Sequence, residues 1–304
     1  MERDDNIYLI DTKMFGFDKY NAAYLIKGRE LALVDTGLPN QLVAVRVGIE
    51  AHGFTVSDIA FIFVTHAHMD HCGNVALILK ECPNAKVYVH PAGEEILLYP
   101  EKVLERLKGQ LLPKMVARFG IMEPVPKSRI QLLKDGDRFD LGNGTILKTI
   151  FAGGHQPSGL VFFEEKNKGL FINDLVGLYL EDCDFSLILN PYGSDVLLAM
   201  DSLKKLLALS PSKLFLGHYG ISDKSEKIIT GALKSMHQLL DIGAKCVAEG
   251  KPEKVEPSIT EIKMKEIDKI KACRGQEMYK YIIEELIPHQ STAFSKYYLS
   301  LPKK

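Results

Sequence analysis

The chain has no tryptophan and only five cysteines, Cys72, Cys82, Cys183, Cys246 and Cys273, none of which forms a Cys-x-x-Cys pair. An odd, scattered set of thiols argues against a disulfide framework and for a reducing compartment. No run approaches about 18 uninterrupted apolar residues, which excludes a membrane-spanning helix. Met1–Ile10 (MERDDNIYLI) lacks the basic start and long apolar stretch of a secretory leader, so the expected location is cytoplasmic. An excess of one charge is also missing. Lys and Arg total 38 against 39 Asp and Glu, a formal net charge of −1. That balance lacks the electrostatic footprint of a nucleic-acid binder, and the expected partner is a small-molecule substrate. There is no internal repeat and no low-complexity tract.

What remains is ordinary globular composition, 46% hydrophobic and 25% charged over 304 residues. That is chain enough for about two domains and a core that needs no staples. Short β-branched or aromatic runs bounded by turn residues predict strands at Asn6–Asp11, Ala22–Lys27 and Glu30–Val34. Ile59–Val64 (IAFIFV) reads as a strand buried on both faces. Helices are expected at Gln41–His52 and Gly73–Glu81, and a strand at Lys86–His90. Residues 92–120 carry helical periodicity alone and predict a two-helix insertion. Strands return at Arg129–Leu133, Asp137–Asp140, Thr145–Phe151, Gly159–Phe163 and Leu170–Ile172. A helix at Ser194–Leu209 and a strand at Lys213–Leu216 follow. From Ser222 onward the pattern is helical, broken at Gly250–Pro257. This change in period divides the chain into 1–221, with the insertion, and a helical region 222–304 expected to cap or flank the active site.

The chemistry concentrates in Thr65–Asn74 (THAHMDHCGN), directly after the buried strand and opening the next helix. Three histidines and a carboxylate fall within six residues, and imidazole and carboxylate suit zinc and related divalent ions. His66 and His68 alternate by two, so an extended segment points both the same way. Asp70 and His71 lie past the turn and can serve a second, adjacent ion. Composition alone yields such a sextet roughly once in a few thousand sequences, so a decorative histidine cluster is the weaker reading. Further candidates each follow a strand: Asp35 in LVDTG, His155 in GGHQPSG, Asp174 in FIND and His218 in FLGHYG. Singly, Asp35 and Asp174 read equally as turn or cap residues, and His155 and His218 as lone loop histidines. Their joint occurrence at strand ends, where layered α/β proteins collect binding groups, favours a site.

This set, in this order, resembles the metallo-β-lactamase fold superfamily, over about Ile7 to Gly220. The resemblance implies an α/β fold, a four-layer αββα sandwich, here with a helical C-terminal extension as in the thioesterase-like, glyoxalase II-like branch. It implies two divalent metal ions, zinc first, with iron or manganese fitting the same donors. His66, His68 and His155 would hold one ion; Asp70, His71 and His218 the other; Asp174 would bridge them. Asp35 would orient ligands by hydrogen bonding.

Two such ions share a water and lower its pKa towards about 7, and Asp70 is the candidate proton acceptor and donor. The expected reaction is hydrolysis of a small ester-like substrate, a thioester or lactone first. Phosphodiester hydrolysis is the competing enzyme reading. A metal-bearing signalling or ligand-sensing protein is the non-catalytic one. A lactonase-type tyrosine three residues after Asp174 is absent, Gly177 standing there, and Leu175–Leu180 lacks the basic residues of the glutathione-thioester hydrolases. His68 occupies a position that is acidic in flavin-linked diiron oxidoreductases. Asn173 stands where the family commonly has glycine, which predicts a slightly altered strand end. Leu111, Met115, Phe119, Met278, Tyr279, Ile282 and Phe294 are either an apolar roof over the site, helix packing, or a homodimer interface. Cys72 reads as a packing residue.

Overall fold

The computed structural model of the chain describes residues 3–108, 117–265 and 267–302. The chain divides into two compact units. The first comprises Met1–Ala152, Pro157–Asn173 and Ser210–Ser225, and the second Gly153–Gln156, Asp174–Leu209 and Glu226–Lys304.

The first unit is built on two sheets. In one, β1 (Arg3–Asp4), β2 (Ile7–Asp11), β3 (Ala22–Lys27), β4 (Leu31–Val34), β5 (Ile59–Phe63), β6 (Lys86–Val89) and β7 (Ile130–Leu132) lie side by side in chain order. β1 to β4 run antiparallel and need only turns, whereas β4 to β7 run parallel. Parallel neighbours require crossovers. α1 (Leu42–Ala51) supplies the first, and α2 (Met69–Cys72) with α3 (Val75–Glu81) the second. α4 (Glu94–Leu98) and α5 (Pro100–Lys108) belong to the third. They fall in the expected insertion; its residues Leu111, Leu112, Met115 and Val116 lie outside the described residues. The remaining strands are β8 (Arg138–Asp140), β9 (Ile146–Phe151), β10 (Leu160–Glu164), β11 (Gly169–Ile172), the hairpin β12 (Leu178–Leu180) and β13 (Phe185–Leu187), β14 (Lys213–Leu216) and β15 (Ile221–Ser222). All but the hairpin form the second sheet, in the order β15-β14-β11-β10-β9-β8.

Period-two alternation turns one face of each strand inward. Ile7, Leu9, Tyr24, Ile26, Val34 and Phe63 of the first sheet share a core with Leu147, Leu160, Phe162, Phe171 and Phe215 of the second. Phe63 and Phe162 meet at 5.2 Å between ring centroids, and Tyr24 and Phe171 at 5.5 Å. The buried Tyr24 hydroxyl lies 2.7 Å from the Leu216 carbonyl and 2.8 Å from that of Gly220. It thereby ties the first sheet to the turn that carries His218.

The second unit contains the β12–β13 hairpin, α6 (Val196–Ala208), α7 (Ser225–Ala248), α8 (Val255–Met264), α9 (Asp268–Tyr281) and α10 (Ile287–Ser300), with one π-helical turn, Ile282–Leu286, joining the last two. α7 takes its first residue, Ser225, from the first unit. Pro257 sits in the first turn of α8, where its missing N–H removes no helical bond, so the helix starts inside the expected break. The hairpin, two strands of three residues each, is absent from the sequence reading. Met278, Ile282 and Phe294 are fully buried, and Tyr279 is partly exposed.

The expectation of unpaired thiols fails at one pair. Cys183, at the tip of the hairpin, is disulfide-bonded to Cys273 of α9, 90 residues on. Arg274 grips Asp182 beside it with two 2.6 Å hydrogen bonds. Only the folded topology brings these two cysteines together; their spacing along the chain carries no sign of it. Cys72, Cys82 and Cys246 are free and buried. Among the described residues no helix is long and apolar enough to cross a membrane.

Lys263 of α8 is buried, and its Nζ donates to the Ile188 carbonyl at 2.9 Å. Burial pushes its pKa down from 10.5 to about 7. His289 is pushed down to about 4, by burial first and by Lys263 second. Both groups regain ordinary values on unfolding. Across the window from about 7 to 10.5 the unfolded chain binds a proton that folded Lys263 does not, so stability rises with pH there. Denaturant unfolding of the native chain and of Lys263→Met at pH 7.5 and 9.5 checks this. The native chain should gain stability relative to the variant at the higher pH; a constant difference would show that Lys263 keeps its ordinary affinity for protons.

Candidate metal centre

β4 and β5 are parallel neighbours, so the residues just past their ends, Asp35 and Thr65, leave the same edge of the sheet side by side. Asp35 takes a left-handed backbone conformation, φ 58°. Its carboxylate accepts from the Thr65 N–H at 2.8 Å, the Thr65 hydroxyl at 2.7 Å and His71 Nδ1 at 2.8 Å. It is therefore a buttress of the loop rather than a simple turn residue. The loop is fixed from the other side by the second sheet. The Leu160 N–H donates to the Thr65 carbonyl at 2.7 Å, and the Ala67 N–H to the Ser158 hydroxyl at 2.9 Å.

Between these anchors stand His66, fully buried, and His68, partly exposed, with His66 Nε2 and His68 Nδ1 2.9 Å apart. The single turn of α2 then carries Asp70 and His71. The Thr36 N–H and hydroxyl hold the His71 carbonyl at 2.7 and 3.0 Å. Asp70 Oδ2 lies 3.5 Å from His71 Nε2 and 3.9 Å from His218 Nε2. His218 follows β14, and its Nδ1 donates to the Tyr20 carbonyl at 3.2 Å.

The second unit holds the other two predicted ligands. Gly154, at φ 119°, has room for no Cβ, which would stand 2.2 Å from the Ala199 nitrogen. Only glycine brings the backbone this close to the first turn of α6, whose N-cap Asp195 donates its N–H to the Gly154 carbonyl at 2.7 Å. The neighbouring His155 donates Nδ1–H to the Leu189 carbonyl at 3.2 Å and turns Nε2 to within 3.6 Å of Asp174 Oδ2. Both are buried.

The protonation pattern follows from the partners. A carbonyl or carboxylate oxygen only accepts, so Nδ1 carries a hydrogen in His71, His155 and His218, and Nε2 is the nitrogen each ring can offer a metal. Each of those Nε2 atoms faces a carboxylate oxygen. Imidazole Nε2 atoms and carboxylate oxygens gathered in this way suit a divalent transition ion, and hydrogen bonding at the far nitrogen is how metal-ligating histidines are held. Within the first unit the ligand atoms of Asp70, His71 and His218 lie within 4.8 Å of one another, as do those of His66 and His68; within the second, so do those of His155 and Asp174. Asp182, Cys183 and Cys273 also cluster, but the thiols are spent in the disulfide.

Several supporting residues are invisible in the sequence reading. Tyr20 and Leu189 act through backbone carbonyls, which no side-chain pattern reveals. Thr65 and Ser158 lie within the stretches THAHMDHCGN and GGHQPSG, and their hydroxyls are the one available signal. Asn173, where a slightly altered strand end is expected, works through its side chain. It donates to the Ala152 and Leu160 carbonyls at 3.1 and 3.0 Å, tying β11 to the ends of β9 and β10. Burial pushes the Cys72 thiol far above its usual range, consistent with packing. His90 caps a turn, accepting the Ala92 N–H at 3.0 Å.

Residues 16–218 match the model of the metallo-beta-lactamase superfamily, and the chain belongs to that superfamily. Its α/β architecture is the family's four-layer αββα sandwich, and helices follow the matched residues to the C-terminus. The metallo-beta-lactamase family protein TTHA1429 from Thermus thermophilus superposes with a TM-score of 0.67 at 18% identity, covering 97% of this chain and 93% of that one. The probable metallo-hydrolase YqjP of Bacillus subtilis is 27% identical over 218 residues, 64% of this chain and 66% of its own length. The putative diflavin flavoprotein A 1 of Nostoc is 30% identical over 166 residues, 54% of this chain. That match spans only 24% of the flavoprotein's length.

Asp35→Ala deprives Thr65 and His71 of their shared acceptor. Metal affinity, measured by competition with a chelator, should fall about 10- to 100-fold. Native affinity in a folded variant would remove Asp35 from the centre.

Proposed function

We propose that this chain is a dinuclear metal-dependent hydrolase acting on an ester-like bond of a small molecule, a thioester or lactone first. In this reading His66, His68 and His155 hold one cation, Asp70, His71 and His218 the other, and Asp174 serves both. The observation that carries it is the set of imidazoles locked with Nδ1 protonated and Nε2 aimed at carboxylate oxygens, in a chain of this superfamily. Bound divalent cations supply Lewis acidity and a nucleophile from water at neutral pH. Asp70 is partly exposed, its side chain retaining 18% of its accessible surface, and can pass a proton between the attacking water and the leaving group. The lack of basic side chains over Leu175–Leu180 supports a substrate with an uncharged or weakly charged acyl portion. Zinc is the proposed metal. The alignment with the diflavin flavoprotein, and with the flavo-diiron protein FprA2 of Clostridium acetobutylicum at 26% identity, makes iron the competitor.

Metal analysis of the purified chain, followed by thioester, lactone and phosphodiester substrates, tests this reading. The prediction is two equivalents of metal and turnover on the first two classes; phosphodiester turnover alone would overturn the substrate assignment. Asp174→Ala should lose at least one metal equivalent and most activity. Full metal content in that variant would contradict its shared role.

A further inference from the structure

His155 is oriented by a backbone carbonyl, and that carbonyl is itself held from the C-terminal helices. β13 ends at Leu187, and Ile188, Leu189 and Asn190 continue as a buried segment outside any ladder. The two peptide groups that flank Leu189 are each gripped by a buried side chain from a different helix. Lys263 of α8 donates Nζ to the Ile188 carbonyl at 2.9 Å. Gln290 of α10 accepts the Asn190 N–H on Oε1. Between them the Leu189 carbonyl receives His155 Nδ1–H at 3.2 Å, with Nε2 on the far side of the ring 3.6 Å from Asp174. Lys263 and Gln290 retain 7% and 5% of their accessible surface. A lysine this deeply buried is costly, and an apolar side chain of similar length would fill the same space without that cost. What the apolar substitute cannot do is hold a carbonyl.

We infer that Lys263 and Gln290 are positioning residues for the metal centre, acting on His155 through the peptide groups on either side of Leu189. The inference rests on the reading of His155 as a ligand. It makes α8 and α10 part of the apparatus that sets one histidine's tautomer and direction.

Zinc alone, titrated into the full-length apo-protein against a competing chelator, is the probe. The native chain should bind two zinc ions. Lys263→Met and Gln290→Met should weaken one of the two about 10- to 100-fold, the range for loss of a supporting hydrogen bond, and leave the other within about threefold. Lys263→Arg and Gln290→Glu keep a donor and an acceptor respectively, and should recover most of the loss. In the zinc-loaded protein the His155 Nδ1–H proton resonance should shift or broaden in the Met variants only. Circular dichroism and thermal unfolding establish that each variant is folded; if Lys263→Met is not, Gln290→Met carries the same comparison. Folded Met variants with two native affinities and an unmoved resonance would overturn the inference, as would equal weakening of both ions. A native chain that takes up no zinc would instead overturn the metal centre itself.

Discussion

A histidine with its Nδ1–H given to an acceptor has one nitrogen left, and the direction of that nitrogen is set by the acceptor. This constraint organises the centre. Asp35 imposes it on His71, the Tyr20 carbonyl on His218 and the Leu189 carbonyl on His155. Asp35 carries the heaviest share, because the same carboxylate also fixes the N–H and hydroxyl of Thr65, the residue that launches the histidine loop. One buried anion satisfied by three donors thus locks both the start of the motif and one of its imidazoles. A buried carboxylate is tolerated only when it is bonded in this way.

The fold explains why such acceptors stand where they do. Parallel strands with crossovers put the ends of β4 and β5 at one sheet edge, and the residues that follow them carry Asp35 and the histidine loop. Tyr24, reaching from β3 to the turn after β14, links the first sheet to the segment bearing His218. Ser158 and Leu160 reach from the second sheet to the loop itself. In the second unit Gly154 performs a comparable task with no side chain at all, by letting the backbone approach α6. The ligands are local motifs, but their directions are set by tertiary contacts.

This division of labour also decides what was legible in the sequence. His66, His68, Asp70 and His71 announce themselves because chemistry that needs several donors in one loop compresses them into six residues. Strands such as Ala22–Lys27 and β5 are legible because an apolar run bounded by turn residues has few other uses. Asp35, His155, Asp174 and His218 were readable only as an ordered set, each alone being an ordinary turn or loop residue. The carbonyls of Tyr20 and Leu189 were not readable, since every residue has one. Nor was the Cys183–Cys273 bond, which depends on α9 meeting a hairpin whose strands are three residues long. Asn173 was visible as a departure, but its role in bridging two carbonyls belongs to the packing of β9, β10 and β11.

The most direct test is a crystal structure of the zinc-loaded chain with anomalous scattering recorded at the zinc edge. Two peaks are expected, with Nε2 of His71 and His218 about 2 Å from one and Nε2 of His155 about 2 Å from the other, and the Nδ1 of each of these three histidines still on its oxygen acceptor. Peaks elsewhere, or imidazoles turned so that Nδ1 of these three histidines meets the metal, would contradict it.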